Sequence, residues 1–379
     1  MPQAEMNDLE ALVLLNAVDA IGSVRIKKLL QAFGRPKDVF KATPHEWTRA
    51  AGLTPVMVRR VLETIKSFNV DAEIREAGHH GIKILTVYDN DYPGILKEVY
   101  DPPVVLYVKG SFDPCDQNAI GIVGSRGASF YGLSCAREFS SFLSRAGLTI
   151  VSGMARGIDT AAHRAALDSG GRTIAVLGSG LLDVYPPENE LLFEEISRNG
   201  AAISEFPLHT PPRAQNFPVR NRIISGLCRG VLVVEASLKS GALITARFAL
   251  EQGREVFAVP GKVSSETSLG ANDLIKQGAK MATVPQEILN DLRFNFIIPS
   301  AGELGGEPAF LDAAAAPACG LNPSEAKVLK ALSDEPASVD DISSHTGLGV
   351  PDLLSVLMHL ELKKAVKQLP GKNFVKTTN

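Results

Sequence analysis

Between residues 118 and 282, short apolar runs alternate with helix-length amphipathic stretches, and most runs end in a glycine-containing turn. The runs Ala119–Val123, Leu148–Val151, Thr173–Leu177, Ala201–Ser204, Val231–Val234 and Val256–Val259 are almost continuously apolar rather than alternating. A strand of that kind is covered on both faces, the situation of a parallel sheet held between helical layers. The intervening patterns predict helices at Tyr131–Arg145, Ile158–Asp168, Asn189–Arg198, Arg220–Leu227 and Leu243–Gln252, with a last one near Asn272–Gly278. The fold class that follows is α/β, a Rossmann-like doubly wound and mainly parallel sheet.

The flanks differ from this core, which is read as residues 118–295. Residues 1–75 read as a small helical domain of helix-hairpin-helix or SAM-like type, with turns at Asp19–Val24 and Ala51–Pro55. Such hairpins can offer backbone amides to DNA phosphates, and they serve equally as packing or protein-contact modules. Residues 76–117 carry two strand-like runs, Ile82–Val87 and Val104–Lys109, and read as an extension leading into the core. The Pro-, Gly- and Ala-rich stretch 296–320 has the composition of a linker. In residues 321–379, two helices precede two short strands around Pro370-Gly371, the order of a winged helix. From residue 323 onward this unit has seven Lys/Arg against seven Asp/Glu, so partner binding is expected of it rather than a grip on duplex DNA.

A formal net charge of −3 over 379 residues excludes a general polyanion binder and leaves nucleic-acid binding to local placement of charge. The four cysteines, Cys115, Cys135, Cys228 and Cys319, stand singly, without metal-ligand or disulfide-framework spacing. Asp8 and Glu10 lie where a signal peptide would need positive charge, and no apolar run reaches membrane-spanning length. A soluble cytoplasmic protein without metal or cofactor is expected.

Residues 117–262 contain thirteen arginines and two lysines against twelve acids. Arginine is favoured over lysine where forked hydrogen bonds to phosphate and planar stacking are useful. Arg126 and Arg156 both follow strands, at the carboxyl edge where open α/β sheets bind ligands, and Arg220, Asn221, Arg222 and Lys239 belong to segments that also follow strands. Gly124, Gly153, Gly157 and Gly178 would let backbone approach a phosphate, with Ser125 and Ser179 among them. Ser240-Gly241 leads into a helix whose amino end carries further N–H donors. Phe217 is a candidate platform for an unpaired base, with core packing as the plain alternative.

Rival chemistries fit less well. Dinucleotide binding would need G-x-G-x-x-G, but Arg126 occupies the second glycine position and the second strand ends in Ser152-Gly153. Lys262 lacks the spacing of a P-loop lysine. Asp159 and His163 read as a helix cap and an internal hydrogen bond rather than an acid–base pair. Glu235 ends a strand, where it could serve a nucleotide-processing enzyme or simply order an arginine or amide. A structural adaptor without nucleic-acid affinity is the third alternative.

Read together, these motifs resemble the DprA/Smf family of DNA-processing proteins. The resemblance rests on Gly124-Ser125-Arg126, Ser152-Gly153-Met154-Ala155-Arg156-Gly157-Ile158-Asp159, Gly178-Ser179-Gly180 and Phe217-Pro218-Val219-Arg220-Asn221-Arg222-Ile223-Ile224. It continues through Ser240-Gly241, Val259-Pro260-Gly261 and Gly270-Ala271-Asn272-Asp273-Leu274-Ile275. It departs at Cys228, where the family often has serine. It implies a non-enzymatic cytoplasmic protein that binds and protects incoming single-stranded DNA in natural transformation and loads RecA recombinase onto it. It further implies a homodimer, placed here around Leu274 and Ile275. Single-strand-binding protein is a further expected partner, and a membrane is not.

Overall fold

The computed structural model describes residues 6–292 and, between 323 and 376, all but 333–335, 350–352, 354–355, 358–359, 361–364 and 370–372. The expected linker at 296–320 and the turn at Pro370-Gly371 lie outside the described residues. Residues up to 292 fall in one compact unit, apart from Ser129–Tyr131, and the C-terminal segment in a second.

Five helices come first: α1 (Asp8–Asn16), α2 (Ser23–Phe33), α3 (Pro44–Ala51), α4 (Pro55–Ser67) and α5 (Val70–His79). Their starts follow from capping chemistry. Asn7 accepts from the Glu10 amide while Glu10 reaches back to Asn7, and Thr43 and Glu46 repeat the arrangement at α3. Leu12, Leu15, Ile26, Leu29 and Trp47 are buried in one cluster with Tyr107, Leu177 and Ala202 of the sheet. The helical layer therefore covers part of a sheet face rather than standing apart.

The chain then runs through β1 (Ile82–Thr86), α6 (Gly94–Lys97), β2 (Val105–Gly110), β3 (Ala119–Val123), α7 (Phe130–Arg145), β4 (Thr149–Ser152), α8 (Ile158–Asp168), β5 (Thr173–Val176), α9 (Glu190–Asn199) and β6 (Ala201–Ser204). It continues with α10 (Asn216–Gly226), β7 (Gly230–Val233), α11 (Ala242–Glu251), β8 (Glu255–Ala258), α12 (Leu269–Lys276), β9 (Lys280–Met281) and α13 (Pro285–Asp291). The nine strands form one sheet in the order β1-β2-β6-β5-β4-β3-β7-β8-β9. From β6 to β9 every pairing is parallel. The run read as an extension supplies the other edge: β2 lies antiparallel to β6, with Tyr107 opposite Ser204, and β1 lies antiparallel to β2.

The order has one reversal. Strands β3 to β6 are laid outward in one direction, after which β7 returns to the other side of β3, with Ile122 opposite Leu232. In open α/β sheets the crevice beyond the strand ends at such a reversal is the ligand site, because the two flanking loops leave toward opposite faces. Residues from both faces are fully buried, among them Val151, Ile203, Val231 and Ala246 in one cluster and Ile120, Phe139, Ile150 and Leu232 in another.

The second unit holds α14 (Pro323–Ala331), β10 (Ala337–Ser338), α15 (Val339–Thr346), β11 (Val366–Leu369) and β12 (Asn373–Lys376). Its strands are antiparallel in the order β10-β12-β11, around Val328, Ile342, Leu357, Leu360 and Phe374. This is the winged-helix arrangement anticipated from the order of its elements.

Candidate nucleic-acid interface

A crevice of about 650 Å³ opens at the carboxyl ends of β3 and β7. Most of its walls come from three segments. The turn after β3 gives Gly124, Ser125 and Arg126. The first turns of α10 give Phe217, Arg220 and Asn221, and the loop after β7 gives Ser237, Ser240 and Gly241 before Thr245 of α11. Tyr185, Asp159, Pro212 and Ala214 also line it.

Phe217 is half-buried and is the hub of the aromatic and cationic groups. The Arg126 guanidinium lies 5.1 Å from its ring centroid, that of Arg220 lies 5.9 Å away, and the Tyr185 ring is 5.8 Å distant at 56°. Arg156 stacks 5.7 Å over Tyr185 on the outer side. The result is a row in which two neighbouring aromatic rings carry a cation at each end, Arg156 on Tyr185 and Arg126 on Phe217, a surface suited to bases and phosphates. Phe217 lies over Gly178, where any side chain would meet its ring.

Arg126 and Arg220 play different parts. Arg126 is exposed, while Arg220 is 3% exposed and donates to the carbonyls of Gly153, at 2.6 Å, and of Val176. Its Nε donates to Asn221 Oδ1 at 3.1 Å. Burial pulls the guanidinium down to about 10, with Arg126 acting in the same sense and Asp159 opposing. The buried Asp159 carboxyl is raised by desolvation; Arg220 and the amides of Ala155 and Gly153 pull it back. Gly153 has no room for a side chain, because the Arg220 guanidinium rests on its Cα. Gly157, at φ +75°, packs against the carbonyls of Ser125 and Arg126, a left-handed and crowded position that only glycine fills without strain.

Several candidate contacts are placed elsewhere by the structure. Arg222 is buried, with Nε 3.1 Å from Asp101 Oδ2 and Nη2 2.5 Å from Glu205 Oε2, and it is no part of the crevice. Residues two apart on a helix point about 200° from each other, so Arg220 and Arg222 cannot both face one ligand. The Gly153 amide donates to Asp159, and the Ser240 amide to Ser237, so neither is open to a phosphate. Gly153, Gly157, Gly178 and Ser179 shape the floor and turns; Ser179 Oγ donates to the Asp183 carbonyl at 2.7 Å. Lys239 is exposed but is not among the residues lining the crevice. Arg156 lies outside the lining and pairs at the surface with Glu188, at 2.5 and 3.1 Å. Leu274, expected at a dimer surface, is 9% exposed and belongs to the core beneath α12, while Ile275 is half-buried against the same cluster.

Tyr185, Asp159 and Thr245 were not among the binding residues read from sequence. Tyr185 is 32 residues from Phe217 in the chain, and nothing local marks their contact. Glu235 accepts from Thr267 Oγ1 at 2.6 Å, and a side chain at Gly132 would meet its carboxylate; it does not line the crevice. Among the described residues no group of His, Cys, Asp and Glu is arranged to hold a metal ion, and no helix is long and apolar enough to cross a membrane.

His163 lies fully buried on α8 behind this site, its Nδ1 2.7 Å from Thr173 Oγ1. Burial first, and Arg220 second, push its imidazole down to about 3. The unfolded chain therefore binds a proton near pH 6.5 that the folded chain refuses, and stability present above that pH is lost as pH falls. Acidification from pH 7.5 to 5.5 should cost about 1.4 kcal/mol through this residue. Melting temperatures of the parent and of His163→Gln across pH 7.5–5.5 check this: the parent's decline should be the steeper, and parallel curves would refute the assignment.

The family model described as DNA recombination-mediator protein A matches residues 83–293, beginning inside β1, and the DprA winged helix domain matches residues 312–372. Protein Smf of Synechocystis sp. is 35% identical over 385 residues, covering 94% of this chain and 96% of that protein. The X-ray structure of DNA processing protein A from Streptococcus pneumoniae aligns with a TM-score of 0.66 at 36% identity, covering 76% of this chain and 99% of that one. DNA processing protein A from Helicobacter pylori, whose structure concerns a single-stranded DNA binding mode, aligns with a TM-score of 0.51 at 30% identity. That alignment covers 56% of this chain and 96% of the other.

Proposed function

The chain belongs to the DNA recombination-mediator protein A family, and from that premise we propose that it binds single-stranded DNA without sequence preference. Arg126 and Arg156 take successive phosphates, Phe217 stacks a base, and Arg220 holds the floor of the crevice and braces that ring. The observation that carries this reading is the stack of Arg126 on Phe217 at the mouth of the crevice between β3 and β7. A narrow crevice with an aromatic face suits an unstacked strand, whereas base pairs of a duplex hide their faces from such a ring. The Arg156–Glu188 pair does not oppose the reading. Both side chains are about half exposed, and such surface pairs contribute only about 0–1 kcal/mol, so a phosphate can displace the carboxylate.

In this reading the protein is a cytoplasmic binder rather than an enzyme. The position of Glu235, held by Thr267 outside the crevice, supports that view, and Asp159, the carboxylate that does line the crevice, is buried and accepts from the Gly153 and Ala155 amides. The strand it holds is incoming DNA during natural transformation, passed on to RecA recombinase, with single-strand-binding protein as a further partner. A homodimer would put two crevices on one strand and raise avidity through effective concentration. With Leu274 in the core, such a dimer would use the outer face of α12, where Ile275 is only half-buried.

Titration of the whole chain with fluorescent oligothymidine, beside a duplex control, tests the reading. Single strand should bind well ahead of duplex. Arg126→Ala should weaken binding and lower the log–log salt slope by about 0.7 for one lost phosphate contact. Equal binding of duplex, or an Arg126→Ala protein unchanged in affinity and slope, would overturn it.

A further inference from the structure

The chain is mildly acidic overall, but its charge is unevenly distributed. Residues 20–69 hold ten lysines and arginines against three acids, a surplus of seven positive charges in a chain of net charge −3. Solubility does not require such segregation; a field of one sign over one small unit attracts a polyanion.

Helices α2, α3 and α4 carry seven of these ten cations. Lys27 and Lys28 of α2 are exposed while Ile26, Leu29 and Leu30 turn inward. Arg49 is exposed between buried Trp47 and Ala51 on α3, and Arg59, Arg60 and Lys66 are exposed around buried Val61 on α4. None of these six cations makes an ion pair among the described residues. Of the three acids, Asp38 is held between Arg35 and Lys41 at 3.0 and 2.7 Å, and Glu46 is used in capping α3.

A second observation ties this unit to the crevice. The segment between β6 and α10 carries Pro212 and Ala214 of the crevice wall. The same segment docks the helical layer: Arg213 pairs with Asp19 at 3.0 Å, the Leu208 amide donates to Glu73 at 2.8 Å, and Asn16 donates to the Glu205 carbonyl at 2.7 Å. The helical unit that carries the basic helices is thus docked beside the rim of the binding crevice through α1, the turn after it and α5.

We infer that the exposed cations of α2, α3 and α4 form a second phosphate-binding surface, which takes up a DNA strand where it leaves the crevice. The inference rests on the single-strand reading above. A crevice of about 650 Å³ holds only a short piece of strand, and the phosphates beyond it need neutralising. Unpaired, solvent-facing lysines and arginines on convex helices suit a backbone contact without base readout.

The test uses the full chain carrying Lys27→Ala, Lys28→Ala, Arg59→Ala and Arg60→Ala together. Its partners are oligothymidines of about six and about thirty residues, the shorter being within the reach of one binding crevice. Affinity for the short strand should stay within about two-fold of the parent, because the crevice is intact. For the long strand it should fall at least about ten-fold, with the log–log salt slope lower by about 3. An Arg59→Lys, Arg60→Lys protein should bind like the parent, which separates charge from folding. Unchanged long-strand binding, or equal loss at both lengths, overturns the inference. Arg126→Ala, measured in parallel, should weaken both lengths. If it weakens neither while the quadruple variant still loses the long strand, the crevice reading falls and the helical surface stands.

Discussion

Replacing Arg222 by alanine is expected to lower the free energy of unfolding by about 3–5 kcal/mol, because it removes one member of a buried ionic group and leaves the others uncompensated. The guanidinium lies between Asp101 and Glu205, its side chain 5% exposed and that of Glu205 11%. Burial raises the Glu205 carboxyl above the usual carboxylate range, and Arg222 is the main influence holding it down. The sign of the pH dependence follows. A carboxyl raised in the folded state contributes stability below its unfolded value, and that contribution is lost as pH rises through the folded value. Without Arg222 the carboxyl rises further, so the variant's deficit should be largest near pH 7.5 and should shrink on acidification toward pH 5. Urea unfolding at both pH values measures it. A deficit under about 1 kcal/mol at pH 7.5 would show that the triad is not what holds Asp101, ahead of β2, to α10. At a temperature where the variant stays folded, oligothymidine affinity should remain close to the parent's, since Arg222 does not reach the crevice.

The second large effect concerns binding. Phe217→Ala should weaken oligothymidine by about 1–3 kcal/mol, the range for loss of one base–aromatic stack, or about 5- to 150-fold. The ring also braces its neighbours, standing 5.1 Å from Arg126, 5.9 Å from Arg220 and 5.8 Å from Tyr185. Two observables separate stacking from bracing. Stacking is insensitive to salt, so its loss should leave the salt slope unchanged, whereas a displaced Arg126 would lower the slope as well. Phe217→Trp should keep affinity and report binding through quenched indole emission, the native Trp47 being buried far along the chain in α3. Undiminished affinity in Phe217→Ala would remove the ring from the mechanism.

How much of this was legible in the sequence depended on how local each signal was. Strands β3 and β6 fell on the predicted boundaries, since their residues are apolar on both faces and bounded by turns. The two-residue β9 has no pattern to read. Helix α10 begins at Asn216 rather than Arg220, because Pro218 sits in its first turn, where a missing N–H does no harm. The runs that became β1 and β2 were recognisable as strands, but their antiparallel place beside β6 was not, since pairing between distant segments leaves no mark on either. In the site, Gly124, Ser125, Arg126, Phe217, Arg220 and Asn221 do gather at one edge. Arg222 was misplaced although its helical phase relative to Arg220 was available, and Arg156 could not be foreseen to meet Glu188, 32 residues away. The basic excess of residues 20–69 was open to counting, but averaging over the chain concealed it.

The antiparallel pair at the margin of the sheet has an implication for how the molecule can be divided. On one flank β6 exchanges its main-chain bonds with β2, from Tyr107–Ser204 to Gly110–Ala201. A fragment beginning after β2 would leave that row of donors and acceptors open to water and to any passing strand, next to the wholly apolar Ala201–Ile203 stretch. The preceding residues are thus a selvedge, woven in to keep the parallel cloth from joining to its neighbours.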